Sequence, residues 1–189
     1  MKLVVGLGNP GRRYAGTRHN VGYQVLAALG SQFGEGTPKA KFHGEVLEAN
    51  LDGQKALLLS PLTYMNHSGL SVVEAKAFFK LANEDLLVVC DDLNLPLGKL
   101  RFRARGSSGG QKGMEDIIQR LGSDEFARLR IGIGSAPPGW EWADYVLSKF
   151  TAEELPIIEQ TVREAAAAVT VWAREGIQRS MNLYNADKE

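Results

Sequence analysis

The sequence has one cysteine, three histidines, no excess of either charge and no long apolar run. Each shortage removes a class of function. A lone cysteine, Cys90, cannot form an internal disulfide, so the fold lacks the covalent framework of small secreted domains. At the end of the apolar run 86–90 it reads as a core residue. No stretch approaches the roughly 18 apolar residues of a spanning helix, and the first apolar run is shorter than a signal-peptide core. A cytoplasmic chain with no membrane association is expected. Lys plus Arg equals Asp plus Glu at 22 each, so nucleic-acid binding has to come from where cations sit, not from net charge. With so few histidines and no His-x-His or His-x-x-Glu pattern, a metal centre is disfavoured too.

What is present is an ordinary globular composition, 44% hydrophobic and 23% charged over 189 residues, enough for one well-buried core. Short β-branched runs at 3–7, 86–90 and 128–133 read as buried strands. Between them lie helical patterns at 21–33, at 70–81, after Gly113, and from Thr151 to a stop at Gly176. The segments 42–49 and 55–60, joined through Asp52-Gly53, give a hairpin signal. Ser71 with Glu74, or alternatively Ser68, has the spacing to cap the second helix, and Thr151 with Glu154 the spacing to cap the last. The pattern predicts a single α/β domain with a mixed twisted β-sheet flanked by helices on both faces.

Candidate chemistry gathers at strand ends, where α/β proteins place it. The run 3–7 stops at the turn Gly8-Asn9-Pro10-Gly11, followed by a polar loop carrying Arg18-His19-Asn20. His19 suits proton transfer near neutral pH, although a histidine before a helix is often only a capping or surface residue. Gly6, Gly8 and Gly11 also satisfy Gly-x-Gly-x-x-Gly. A dinucleotide site, however, needs the helix to open within the glycines, and here Pro10 and a polar segment intervene. The strand 86–90 delivers Asp91 and Asp92, whose side chains should point to opposite sides. Alternation in 99–105 sets Lys99, Arg101, Arg103 and Arg105 on one face, a row of cations without a local carboxylate that leads into the loop Gly106-Ser-Ser-Gly-Gly-Gln-Lys-Gly113. Such a row is either a solvated face or a phosphate-backbone contact.

Several stretches of the chain resemble one family. The string GLGNPGRRYAGTRHNVG resembles the first signature of bacterial-type peptidyl-tRNA hydrolases. Residues 61–69, PLTYMNHSG, match a second at every fixed position, and 91–98, DDLNLPLG, resemble a third with Asn94 in place of an aspartate. Arg128-Leu-Arg130-Ile-Gly-Ile-Gly134, Tyr145-Val-Leu with Phe150, and Met181 to Asn185 extend the likeness over nearly the whole chain. The resemblance implies hydrolysis of the ester joining a peptide to the tRNA 3′ ribose, without a cofactor, by a monomer whose partner is peptidyl-tRNA. It implies His19 as general base and Asp91 as the group that orients it. Asn9 and Asn66 would hold the peptide's carbonyl and amide beside an apolar wall at Met65. Tyr14, Tyr64 and Asn66 would meet the terminal nucleotides, and Arg101, Arg103 and Arg130 the tRNA phosphates. The main departure is Gln111-Lys112, where the family has His-Asn. Lys112 can contact a phosphate but cannot accept a hydrogen bond as the family's asparagine does, so a non-hydrolytic RNA-binding relative stays open as an alternative.

Overall fold

The computed structural model describes residues 1–186. Its sheet runs in the order β2-β3-β4-β1-β5-β7-β6, from β1 (Lys2–Gly6), β2 (Gly34–Lys41), β3 (Gly44–Leu51), β4 (Gln54–Pro61), β5 (Leu86–Asp92), β6 (Leu100–Arg103) and β7 (Ala127–Gly132). β1 pairs in parallel with β4 and β5, and β5 with β7; β2, β3 and β6 run antiparallel to their neighbours. The helices are α1 (Val21–Phe33), α2 (Ser68–Phe78), α3 (Lys112–Leu121), the short α4 (Trp142–Val146) and α5 (Leu155–Tyr184).

The two-residue period of the central strands builds two cores. Val4, Leu58, Leu87, Val89, Leu129 and Ile131 face α1 and α5, while Leu3, Val5, Leu57, Leu59, Val88 and Cys90 face α2 and α3. Both faces of the central strands are thus covered by helices, which is why their sequences are continuously apolar. Cys90 is buried, and burial pushes its thiol up to about 12. It is a core residue.

Several local expectations change. The strand expected from Phe42 starts at Gly44, because Phe42 and His43 both have positive φ (56° and 52°) and form the tight turn after β2. That strand, Gly34–Lys41, was not expected at all; its exposed glycine- and lysine-rich sequence has no alternation to reveal it. Neither Ser71 nor Ser68 caps α2. The Ser71 hydroxyl donates to the His43 carbonyl and that of Ser68 to Met65, while the Gly69 N–H in the first turn of α2 donates to Asp116 of α3. The tertiary partner replaces the local one. Thr151 and Glu154 do bond reciprocally, at 2.8 and 3.3 Å. The helical conformation does stop at Gly176, at φ 83° and ψ 176°, as expected, and the unexpected part is that a further helical stretch, included in α5, runs on to Tyr184.

α1 starts at Val21, separated from the glycines of the first turn by two 3-10 turns, Arg12–Tyr14 and Arg18–Asn20. This geometry is not that of a dinucleotide-binding turn. α1 also lies close to the sheet. A Cβ on Gly22 would sit 2.5 Å from the Leu7 nitrogen and 2.7 Å from the Val89 carbonyl oxygen, both rigid backbone atoms. Gly22→Ala is expected to destabilise the protein by about 3 kcal/mol, an overpacking cost, read as a lowered urea midpoint. An unchanged midpoint would show that the helix can shift away freely.

Candidate active site at the ends of the central strands

β1 and β5 end side by side, and the loops that follow them form the site. Alternation sends Asp91 to one side of the sheet and Asp92 to the other. Asp91, only 3% exposed, accepts a hydrogen bond from His19 Nδ1 at 2.8 Å. Asp92 instead faces Arg130, with Nη1 at 3.4 Å, and accepts from the Asn94 N–H. Among the described residues, no three His, Cys, Asp or Glu side chains converge as metal ligands would.

His19 is buried beside Asp91. Burial alone would lower its pKa, but the adjacent carboxylate, through its charge and its hydrogen bond, outweighs that and holds the imidazole above its ordinary 6.5. With Nδ1–H committed to Asp91, Nε2 carries the free lone pair, the tautomer required of a general base.

The His19 loop is fixed from two directions. The Asn20 side chain accepts from the Asn9 N–H at 2.8 Å and donates to the Asn9 carbonyl at 2.9 Å, tying the two loops together in a buried pair. Sequence reasoning missed Asn20, although Asn residues flanking the loop were its only possible signal. On the other side, Arg18 forms an ion pair with Glu154 at 2.8 Å and stacks on Tyr145 and Phe150. Its side chain is 6% exposed.

A cavity of about 470 Å³ opens beside His19 and Asp91. It brings together Asn9, Tyr14, Tyr64, Met65, Asn66, Lys112 and Arg130 with an apolar wall of Leu93, Trp142, Val146 and Leu147. The wall from α4 was not foreseen. Asn9 Oδ1 accepts from the Met65 N–H at 2.7 Å, so only its Nδ2 is left to face a ligand. Asn66 is exposed. Tyr14 and Tyr64 stand edge to face with centroids 6.4 Å apart, and Tyr64 is 60% exposed at the mouth. Lys112 is also exposed, 3.0 Å from Glu115. Gln111, read only as part of a departure from the family pattern, lies inside the cavity and donates to Asp91 Oδ1 at 3.1 Å.

The cation row is shorter and less free than its alternation suggests. β6 covers only Leu100–Arg103, where Arg101 stands opposite Arg130 and Arg103 opposite Arg128. Lys99 Nζ donates to the carbonyls of Asn185 and Ala186, and Arg105 lies 3.8 Å from Glu125, so the row does meet a carboxylate. Arg130 is partly buried and holds the Ser107 carbonyl at 2.6 Å as well as Asp92. Arg128 is fully buried, bonded to the carbonyls of Gly106, Asp124 and Phe126. Burial, then its neighbour Arg130, lowers its pKa to about 10. These two arginines fasten the glycine loop to the sheet. Of the other two, Arg101 is half-buried and Arg103 exposed.

Because the folded pKa of His19 is raised, its imidazole resonances should titrate with a midpoint above 6.5 in wild type and below 6.5 in Asp91→Asn, where burial acts alone. The pair's contribution to stability is complete below pH 6.5 and is lost as pH rises through the folded pKa. Asp91→Asn should therefore lower the urea midpoint more at pH 5.5 than at 8.5; equal losses at both would mean that the pair is not charged in the acid range.

Comparison with known proteins shows the family and the fold. The family model described as peptidyl-tRNA hydrolase matches residues 3–189. A peptidyl-tRNA hydrolase of Rhodopirellula baltica is 51% identical over 186 residues, covering 98% of both chains; one of Desulfitobacterium hafniense is 48% identical over 98% of this chain and 100% of its own. The crystal structure of peptidyl-tRNA hydrolase from Acinetobacter baumannii superposes with a TM-score of 0.92 at 36% identity, covering 100% of this chain and 96% of that one. With the family model, the relatives and the fold in agreement over the full length, the chain belongs to the peptidyl-tRNA hydrolase family.

Proposed function

We propose that this chain hydrolyses the ester bond between a peptide, or an N-blocked aminoacyl group, and the 3′ ribose of tRNA, returning the tRNA for reuse. The observation that carries the reading is the buried His19–Asp91 pair opening onto a cavity with asparagine donors and an apolar wall. His19 Nε2 takes a proton from water as the water oxygen attacks the ester carbonyl carbon. Asp91 stabilises the imidazolium that results. As the tetrahedral intermediate collapses, the C–O bond to the ribose breaks and the imidazolium gives its proton to the departing 3′ oxygen. The products are a peptide carboxylate and a tRNA with a free 3′ hydroxyl.

The hydrogen bonds divide the work of the asparagines. Asn9 has its oxygen occupied by Met65, so it acts as a donor to a substrate carbonyl, and Asn66, exposed on the cavity, meets the peptide's amide. Met65 supplies apolar wall. An unblocked aminoacyl group presents a charged ammonium where a neutral amide is wanted, and so fits poorly. Tyr14 and Tyr64 give faces on which terminal bases stack. Arg101 and Arg103 meet tRNA phosphates, Lys112 turns from Glu115 to one, and Arg130, already engaged with Asp92 and Ser107, contributes mainly its field. The reaction needs no cofactor, one domain carries it, and the protein acts as a monomer in the cytoplasm. Among the described residues, no helix is long and apolar enough to cross a membrane.

Peptide release from N-acetyl-aminoacyl-tRNA tests the reading. Wild type should cleave it and spare unblocked aminoacyl-tRNA, and His19→Ala should lose about 10³-fold in kcat/KM, the scale of a general base. Tight tRNA binding without turnover would favour the non-hydrolytic relative. Arg103→Ala should weaken tRNA binding and flatten its salt dependence by about one counterion, measured by filter binding across a salt series.

A further inference from the structure

Asp91 has two carboxylate oxygens, and they face different partners. Oδ2 accepts from His19 Nδ1 at 2.8 Å; Oδ1 accepts from Gln111 Nε2 at 3.1 Å. Gln111 is itself held at its other end, since Oε1 accepts from the Met114 N–H at 2.7 Å as the N-cap of α3. These two partners fix which way the amide points: oxygen toward the helix, nitrogen toward Asp91 and toward Met65 Sδ at 3.3 Å. A continuous chain of hydrogen bonds thus runs from the α3 backbone through Gln111 and Asp91 to His19.

We propose that Gln111 is a positioning residue for the reaction, acting through Asp91. A carboxylate bonded at one oxygen only can turn about its Cβ–Cγ bond and carry that oxygen away from its partner. Bonded at both, it cannot turn without breaking two hydrogen bonds. Gln111 holds Oδ2 on His19 and keeps Nε2 of the imidazole directed at the substrate. It does so with an amide, which never changes charge across the pH range in which His19 titrates. The inference rests on the general-base reading of His19 proposed above.

The two bonds of Gln111 can be separated by substitution. Serine caps helices well, so Gln111→Ser keeps the bond to Met114 while its side chain is too short to reach Asp91. Gln111→His places a ring N–H donor of similar reach toward Asp91. The ionisable and charged groups facing His19 across the cavity are Asp91, Asp92, Tyr14, Tyr64, Lys112 and Arg130; Gln111 makes no hydrogen bond to any of these but Asp91, and Asp92 and Lys112 keep their own partners, Arg130 and Glu115.

The experiment measures kcat and KM for N-acetyl-aminoacyl-tRNA, the thermal midpoint, and the NMR titration of the His19 imidazole in wild type and Gln111→Ser, with kcat for Gln111→His. Gln111→Ser should unfold with wild type, lose about tenfold in kcat with KM within about twofold, and titrate His19 at a higher midpoint, because water admitted beside the pair relieves part of its desolvation. Gln111→His should recover kcat to within about threefold of wild type. A Gln111→Ser protein with both kcat and the His19 midpoint unchanged would make Gln111 a helix cap and nothing more. Lost kcat with an unmoved midpoint would overturn the route through Asp91, and failure of Gln111→His to recover kcat would overturn the need for a donor. Wild type that does not cleave the substrate would defeat the hydrolase reading instead, leaving the titration to judge Gln111 by itself.

Discussion

The rest of the structure depends on holding a histidine against a carboxylate out of water. The two residues lie 72 positions apart and meet at 2.8 Å. Burying either alone would cost several kcal/mol, and the pair repays this only if its geometry is tight and its remaining polar atoms are satisfied. The surroundings meet that demand. β5 brings Asp91 to the sheet's end as a buried residue, the reciprocal Asn9–Asn20 bonds fix the loop on one flank, and the Arg18–Glu154 pair fixes it on the other. Of these flanking residues Asn9 also lines the cavity, which Tyr64 and Trp142, 60% and 65% exposed, border as well.

The arginines show a second way in which charge is managed. Four of them, Arg101, Arg103, Arg128 and Arg130, share one face of β6 and β7 and stand directly opposite one another in pairs. Like charges at that spacing repel. Two are taken out of the contest by carbonyl oxygens of the glycine loop and by Asp92. The loop is thereby held down by the cations it covers, while Arg101 is half-buried and Arg103 exposed.

How much of this could be read in advance follows from how local each signal is. The central strands and the helices at 21–33 and after Thr151 were legible because apolar period is a property of short stretches, whereas the pairing of Asp91 with His19 was implied only by the family resemblance. β2 was not legible, since an exposed, lysine-rich edge strand is held by β3 and leaves no pattern of its own. The cap of α2 was misread for the same reason: Asp116, 47 residues from Gly69, does what Ser71 and Glu74 have the spacing to do. Arg128 looked like one more cation in a strand, and only the tertiary structure reveals it as fully buried. Gln111 gave no cue to its contact with Asp91, because an amide in a glycine-rich loop looks the same whether it faces solvent or a carboxylate.

The last described residues finish the sheet. Asn185 Oδ1 accepts from the Phe102 N–H at 2.7 Å and its Nδ2 donates to the Phe102 carbonyl at 3.0 Å, so one side chain imitates a neighbouring strand along the free edge of β6, with Tyr184 packed against the Phe102 ring. β1, by contrast, lies deep in the sheet between β4 and β5. β1 precedes both of the strands that flank it and so must wait for them to pair, and the β6 edge stays open to pairing with another molecule until Asn185 has docked on it. A single side chain therefore does at the β6 edge what a further strand would otherwise do, and blunts it against edge-to-edge pairing.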